Sequence, residues 1–459
     1  MEIKNKSIWK QVEQKEYDAI MEYNENYKKF LDSARTERLA TKEIIQQAKE
    51  KGYQSFEEAL ERGINAGDKI YYNYRNKSAV LMIIGEEELS KGTHIIGAHI
   101  DIPRLDLKPN PLYEDGEMAL FKSHYYGGIK KYQWTTIPLA LYGYVITKNG
   151  EEVEIAIGDK EEDPVFYITD LLAHLSKDQG QKKLATGIEG EQLNIVVGHS
   201  SYGIDEDENP IKKNILSYLN KHYGMVEEDF LVGEFQVVAA TKARDVGFDR
   251  AMIAAVGHDD RVCSYAALKA ILEVENPKHT AIALFVDKEE IGSVGNTSMN
   301  GMFFENMLAE LIHRQDKNYS DLLLRRCLAN SKVLSADVTV AHDPTYPDVL
   351  EKYNRCMAGH GIAIAKYTGS GGKYSCNDAN AEFLAEVRNV FAENNIIWQT
   401  GELGKVDQGG GGTIAYILAK YGAEVVDAGT PVLSMHAPVE LVSKADSYMT
   451  KEAYRAFYR

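Results

Sequence analysis

Five short stretches of this 459-residue chain end in side chains able to ligate a metal: Gly97-Ala98-His99-Ile100-Asp101, Gly257-His258-Asp259-Asp260, Asp287-Lys288-Glu289-Glu290, Ser335-Ala336-Asp337 and Ser434-Met435-His436. Two histidines and three carboxylates are what a pair of divalent ions asks for. Imidazole nitrogen and carboxylate oxygen suit Zn²⁺, Co²⁺ or Mn²⁺, and one carboxylate can bridge two ions about 3.5–4 Å apart. The chemistry this set predicts is hydrolysis by metal-activated water.

Each stretch also has a plainer use. His99 and Asp101 stand two apart at the end of an apolar run, so a strand would present both on one face. That suits a ligand and the carboxylate that fixes its tautomer, or an incidental surface pair. Asp259 and Asp260 head a predicted helix, where an aspartate is a common N-cap, and only one of the two can point inward as a bridge. Glu289 and Glu290 follow an apolar run directly. They form either a solvated loop or a ligand beside a proton-transfer group. Asp337 and His436 close short apolar runs, where satisfied core residues also occur. Recurrence at five strand ends favours one shared site over five separate coincidences.

Residues 8–62 carry apolar positions three or four apart and predict two or three amphipathic helices. The apolar runs 69–74, 78–85 and 93–99 predict buried strands, and an open α/β sheet gathers ligands at the carboxyl ends of its strands. Between Pro103 and Glu234 the text turns β-rich, with a hairpin of 139–147 and 153–158 across the turn Lys148-Asn149-Gly150. Residues 176–212 predict a long mobile loop. From Phe235 strands and helices alternate again: strands at 236–240, 280–287, 333–340, 362–365, 396–399 and 424–428, helices at 263–274, 304–313, 378–394 and 414–421. The expected fold is α/β, with an α/β/α domain over 1–103 and 235–459, a mostly parallel central sheet, and a β-rich domain inserted at 104–234.

A net charge of -17 disfavours nucleic acid and anionic membranes, and no apolar run approaches the ~18 residues needed to cross a bilayer. The opening residues lack a secretory pattern. Cys263, Cys327, Cys356 and Cys376 show no CxxC spacing and read as small buried hydrophobes, so a cytoplasmic enzyme is expected. The glycine run 408–413 lacks the Lys-Ser/Thr of a phosphate cradle. It reads instead as backbone that must come close to substrate or metals.

In combination, Gly-Ala-His-x-Asp-x-Pro (97–103), Asp-x-Glu-Glu-x-Gly-Ser (287–293), Ser-Ala-Asp (335–337) and Leu-Ser-Met-His (433–436) resemble the aspartyl aminopeptidase and vacuolar aminopeptidase I family of dinuclear zinc exopeptidases, over essentially the whole chain. The resemblance implies His99 as a terminal ligand, Asp260 as the bridge, Glu290 and Asp337 as further ligands and His436 as the second imidazole. It makes Glu289 the general base and Asp101 the orienter of His99. The family's Leu-Asp-Asn reads Asp259-Asp260-Arg261 here, which leaves the choice between the two aspartates open. Also implied are two divalent ions per subunit, zinc first with Co²⁺ or Mn²⁺ as alternatives, a bridging hydroxide nucleophile and peptide substrates with a free amino terminus. The assembly implied is a homododecamer of dimers paired through the inserted domain. His174 would reach a neighbour's active site, or else be a surface histidine. Lys366 and Lys373 could favour an acidic first residue, or be solvated. A deacylase or carboxypeptidase on the same scaffold, and a non-catalytic shell protein, are the competing readings.

Overall fold

The computed structural model describes residues 6–205 and 208–459, so the first five residues and Glu206-Asp207 of the acidic run lie outside the described residues. The chain forms two compact units. One comprises Met1–Asp101, Ala243–Met435 and Glu440–Arg459, the other Ile102–Lys242 and His436–Val439.

The first unit is built on a nine-stranded sheet ordered 54–55, 69–74, 78–83, 281–286, 94–99, 332–335, 424–429, 362–365, 398–400. Five of its eight neighbouring pairs run parallel, and three antiparallel. Its inner strands are apolar on both faces, as covered parallel strands must be, and every residue of Ala281–Val286 is buried. Alternate residues feed different cores. Leu81, Ile96, Ala98 and Phe285 pack under the helices Gln14–Ser33, Glu37–Glu50, His258–Leu272 and Lys444–Phe457. Val80, Ile95 and Leu284 pack under Phe303–Gln315 and Ala415–Ala419. Local chemistry agrees with this layering: Thr36 Oγ1 caps the Glu37–Glu50 helix through the Leu39 N–H at 3.2 Å, and Ile44, Ile45 and Ala48 form its buried stripe. A second, five-stranded sheet of 244–246, 252–255, 440–443, 431–433 and 339–340 was not foreseen in the sequence, because its strands are two to four residues long.

The other unit holds a seven-stranded antiparallel sheet ordered 152–157, 139–146, 234–239, 104–115, 118–126, 194–198, 167–168. Its hairpin has the expected turn, with Leu141 opposite Ile157 and Gly150 at φ 82°. Two expectations need correction. The strand Glu234–Ala239 belongs to this sheet rather than to the α/β alternation, because Gln236 pairs antiparallel with Tyr142 and with Asp106. An apolar run shows no preference for the sheet that takes it. The predicted loop over 176–212 instead contains the strand Asn194–Gly198 and three short helical turns, and the helix Pro210–Tyr223 begins within it.

Leu284 is fully buried in the middle of the central sheet. Leu284→Ala is expected to lower the unfolding free energy by about 2–5 kcal/mol through lost transfer energy and the cavity left behind, read as a lower urea midpoint.

Candidate metal centre

The parallel register aligns the ends of the strands that carry the candidate ligands. His99 lies beside Val286, Gly97 beside Ser335, and Ser335 beside Asp427. The turns that follow therefore leave one edge of the sheet with Asp101, Glu289-Glu290 and Asp337. A Cβ on Gly429 would collide with the Asp337 main-chain carbonyl, so only glycine lets the neighbouring strand close on that ligand.

Asp101 ties two of these turns together. Its carboxylate accepts the Glu289 N–H at 3.0 Å and the Glu290 N–H at 3.1 Å. One of the same oxygens lies 3.3 Å from His99 Nδ1. The Asp101 carbonyl oxygen is 3.1 Å from that nitrogen. These oxygens can only accept, so Nδ1 carries the hydrogen and Nε2 keeps its lone pair. Nε2 points at Asp259 Oδ1, 3.1 Å away, and towards Asp337 Oδ1 at 3.9 Å. A ligand oxygen of Glu290 also lies within 4.8 Å of one on Asp259.

Asp259, and not the expected Asp260, is therefore the aspartate whose carboxylate oxygen faces His99 Nε2. Asp260 is fully buried and turned beneath the strand, where its Oδ2 accepts the main-chain N–H of His99 at 3.3 Å. The two aspartates differ because neither is helical: Asp259 has φ -81°, ψ 107° and Asp260 has φ -112°, ψ 29°. The useful signal was already in the text. Set against Leu-Asp-Asn, the triplet His258-Asp259-Asp260 places the family's aspartate at Asp259 and a residue of asparagine's size at Asp260. Sequence reasoning also missed Glu440, a buried carboxylate that accepts the Asp259 N–H at 2.9 Å, because a lone glutamate entering a short strand carries no motif.

Electrostatics tests whether a cation fits. Burial, reinforced by Glu289, Asp260 and Asp259 and opposed by His99, pushes the Asp337 carboxyl well above the ordinary range. Burial likewise raises Asp260, with His99 opposing and Asp259 reinforcing. For His99 burial favours the neutral ring, yet its bonds to Asp101 and Asp259 and the charge of Asp260 outweigh it and raise its pKa well above 6.5. Clustered acids that favour protons, around an imidazole that favours one too, are short of positive charge. A divalent ion between nitrogen and oxygen donors supplies it.

His436 is half-buried on the loop between the strands Pro431–Leu433 and Glu440–Ser443, and its Nδ1–H donates to the Gly128 carbonyl at 2.8 Å, which leaves the Nε2 lone pair for ligation. His174 is exposed on a short helical turn of the second unit. Lys366 and Lys373 both face Asp378, at 4.0 and 3.0 Å, and Lys373 also sits over the Tyr367 ring. In the glycine run, Gly410 at φ 117° packs its backbone against Gly369-Ser370, and Thr413 donates to buried Asp427 at 2.6 Å. The close approach seen there is backbone to backbone.

Clustered imidazole and carboxylate groups at the strand ends of an α/β/α sheet are the arrangement a metal-dependent hydrolase needs. Sequence comparison then narrows the class. A model of the Aminopeptidase I zinc metalloprotease (M18) family matches residues 30–458. The chain is 48% identical over 454 residues to a probable M18 family aminopeptidase 1 of Clostridium acetobutylicum, covering 98% of this chain and 97% of that one. The crystal structure of an M18-family aminopeptidase from Thermotoga maritima aligns over 100% of both chains at 44% identity and a TM-score of 0.96. The S. cerevisiae mApe1 dodecamer, 20% identical over 95% of each chain with a TM-score of 0.77, shares the fold. The chain belongs to the M18 family and is a zinc metalloaminopeptidase, an exopeptidase that hydrolyses peptide bonds.

Asp259→Asn is expected to lose bound zinc and Asp260→Asn to keep it, as measured by elemental analysis of the purified variants. Equal loss in both would return the shared position to an open choice.

Proposed function

We propose that the enzyme removes one residue at a time from the free amino terminus of peptides, with two divalent ions per subunit held by His99, Asp259, Glu290, Asp337 and His436. Zinc is the first choice and Co²⁺ or Mn²⁺ suits the same donors. The carrying observation is Asp259, whose carboxylate stands against His99 and Asp337 and also close to Glu290. The assignment of His436 rests on the family resemblance, supported by the tautomer its Gly128 bond requires. When bound, such an ion pair brings the pKa of water toward 7 and polarises the scissile carbonyl.

The chain's own residues supply the rest. Asp101 holds His99 in the tautomer whose Nε2 is a ligand, and through two main-chain amides it sets where Glu289 stands. Glu289 accepts the proton of the attacking water and delivers it to the leaving nitrogen, a transfer that contributes about 10²–10⁴-fold. An unblocked amino terminus offers a nitrogen lone pair that such an ion could bind, which suits a substrate with a free amine.

The assembly is proposed to be a homododecamer of dimers joined through the second unit, with His174 completing a neighbour's site. Supporting this, His174 stands among Leu171, Leu172 and Leu175, which are 55%, 58% and 72% exposed, an apolar segment that a second copy would cover. Four free cysteines suit a cytoplasmic enzyme.

Glu289→Gln should retain its metals and lose at least about a hundredfold in kcat on aminoacyl substrates, while the parent enzyme leaves amino-terminally acetylated peptides uncut. Full turnover by Glu289→Gln would remove it as the base, and cleavage of blocked peptides would point to a deacylase. Leu175→Asp should shift sedimentation to smaller species; an unchanged profile would exclude this segment as an interface.

A further inference from the structure

The turn that presents Asp259 is gripped from behind. Asp259 stands outside the helical region of φ and ψ, and Gly257 before it is left-handed at φ 72°, so the helix that follows does not define its direction. Two tertiary contacts do. Glu440 takes the Asp259 N–H, and the ring of the preceding residue, His258, is pinned at both nitrogens. His258 Nε2 lies 3.1 Å from the Ile253 carbonyl oxygen, which can only accept, so Nε2 carries the hydrogen. Nδ1 then offers its lone pair to the Tyr27 hydroxyl, 2.8 Å away, and Tyr27 is the donor. Both rings are fully buried. Tyr27 comes from the helix Gln14–Ser33 and is itself fixed by stacking on Tyr265, with ring centroids 5.1 Å apart.

We infer that Tyr27 and His258 form a positioning pair for the shared carboxylate, so that the Gln14–Ser33 helix sets how tightly the centre holds its ions. The inference rests on the dinuclear reading above. Neither residue is proposed to touch substrate. The Tyr27 bond holds the His258 ring, the ring holds the main chain entering Asp259, and that main chain aims Oδ1 at the ion site. Losing a group that orients a metal ligand commonly weakens affinity by about 10–100-fold.

The test uses full-length protein and zinc itself as the probe, titrated against a chromogenic chelator. Tyr27→Phe keeps the ring and its stacking and removes only the donor. Its zinc affinity should fall by about tenfold or more. Tyr23→Phe is the control, since Tyr23 packs on the same Tyr265 ring at 5.3 Å but is not the partner of His258; its zinc affinity should match the parent. Thermal midpoints of the metal-free proteins separate a general loss of stability, which would lower the midpoint and leave affinity unchanged. Parent-like zinc affinity in Tyr27→Phe, or an equal loss in Tyr23→Phe, would overturn the pair's role alone. A parent protein that takes up no zinc would overturn the dinuclear reading and this inference together.

Discussion

The centre is organised by a shortage of positive charge that the fold creates around one imidazole. Asp101, Asp259 and Asp260 are almost wholly withdrawn from water next to His99, and Asp337 stands close by. Removing carboxylates from water costs several kcal/mol per ion unless charge or hydrogen bonds replace the lost hydration. Asp101 meets that need with the Glu289 and Glu290 amides and Asp260 with the His99 amide. Asp259 and Asp337 turn oxygens toward His99 Nε2, an arrangement that a proton or a metal cation reconciles. Because Asp101 holds the hydrogen on Nδ1, the cation is the partner that leaves His99 neutral and able to act as a ligand.

Such crowding requires a rigid frame. Parallel strands end together, so residues nearly two hundred positions apart emerge along one edge without long connecting loops. The inner strands are buried on both faces, and neighbouring backbones close tightly enough that Gly429 has no room for a side chain beside Asp337. Interiors packed in this way resist small displacements, which keeps ligand oxygens where repulsion alone would spread them.

The excursion from Ile102 to Lys242 leaves the first unit just after Asp101 and builds a core of its own, with Leu105, Phe121, Trp134 and Val237 among its members. An antiparallel sheet needs no crossover helices, and here two local hairpins, 104–126 and 139–157, are joined by the late strand Glu234–Ala239 that pairs with both. Its exposed leucines around His174 are unlike the charged surface expected of a free monomer, and they give the proposed assembly a physical basis.

Much of this was legible in residue order. Apolar runs ending in His99, Asp337 and His436, and the acidic pair after Val286, were enough to anticipate an α/β sheet with a divalent-metal site, because strand burial and ligand chemistry leave local signatures. The hairpin at Lys148-Asn149-Gly150 was legible for the same reason. The strand Glu234–Ala239 was misassigned, since an apolar run is equally content in either sheet and only pairing with Leu139–Ile146 decides. The chemistry of the two side chains does not choose between Asp259 and Asp260. Two adjacent aspartates have the same chemistry and differ only in direction, and direction here is imposed by Glu440, by the His99 amide and by a tyrosine 231 residues away from His258. Residue types determined what the site could bind; long-range backbone contacts decided which oxygen faces the imidazole.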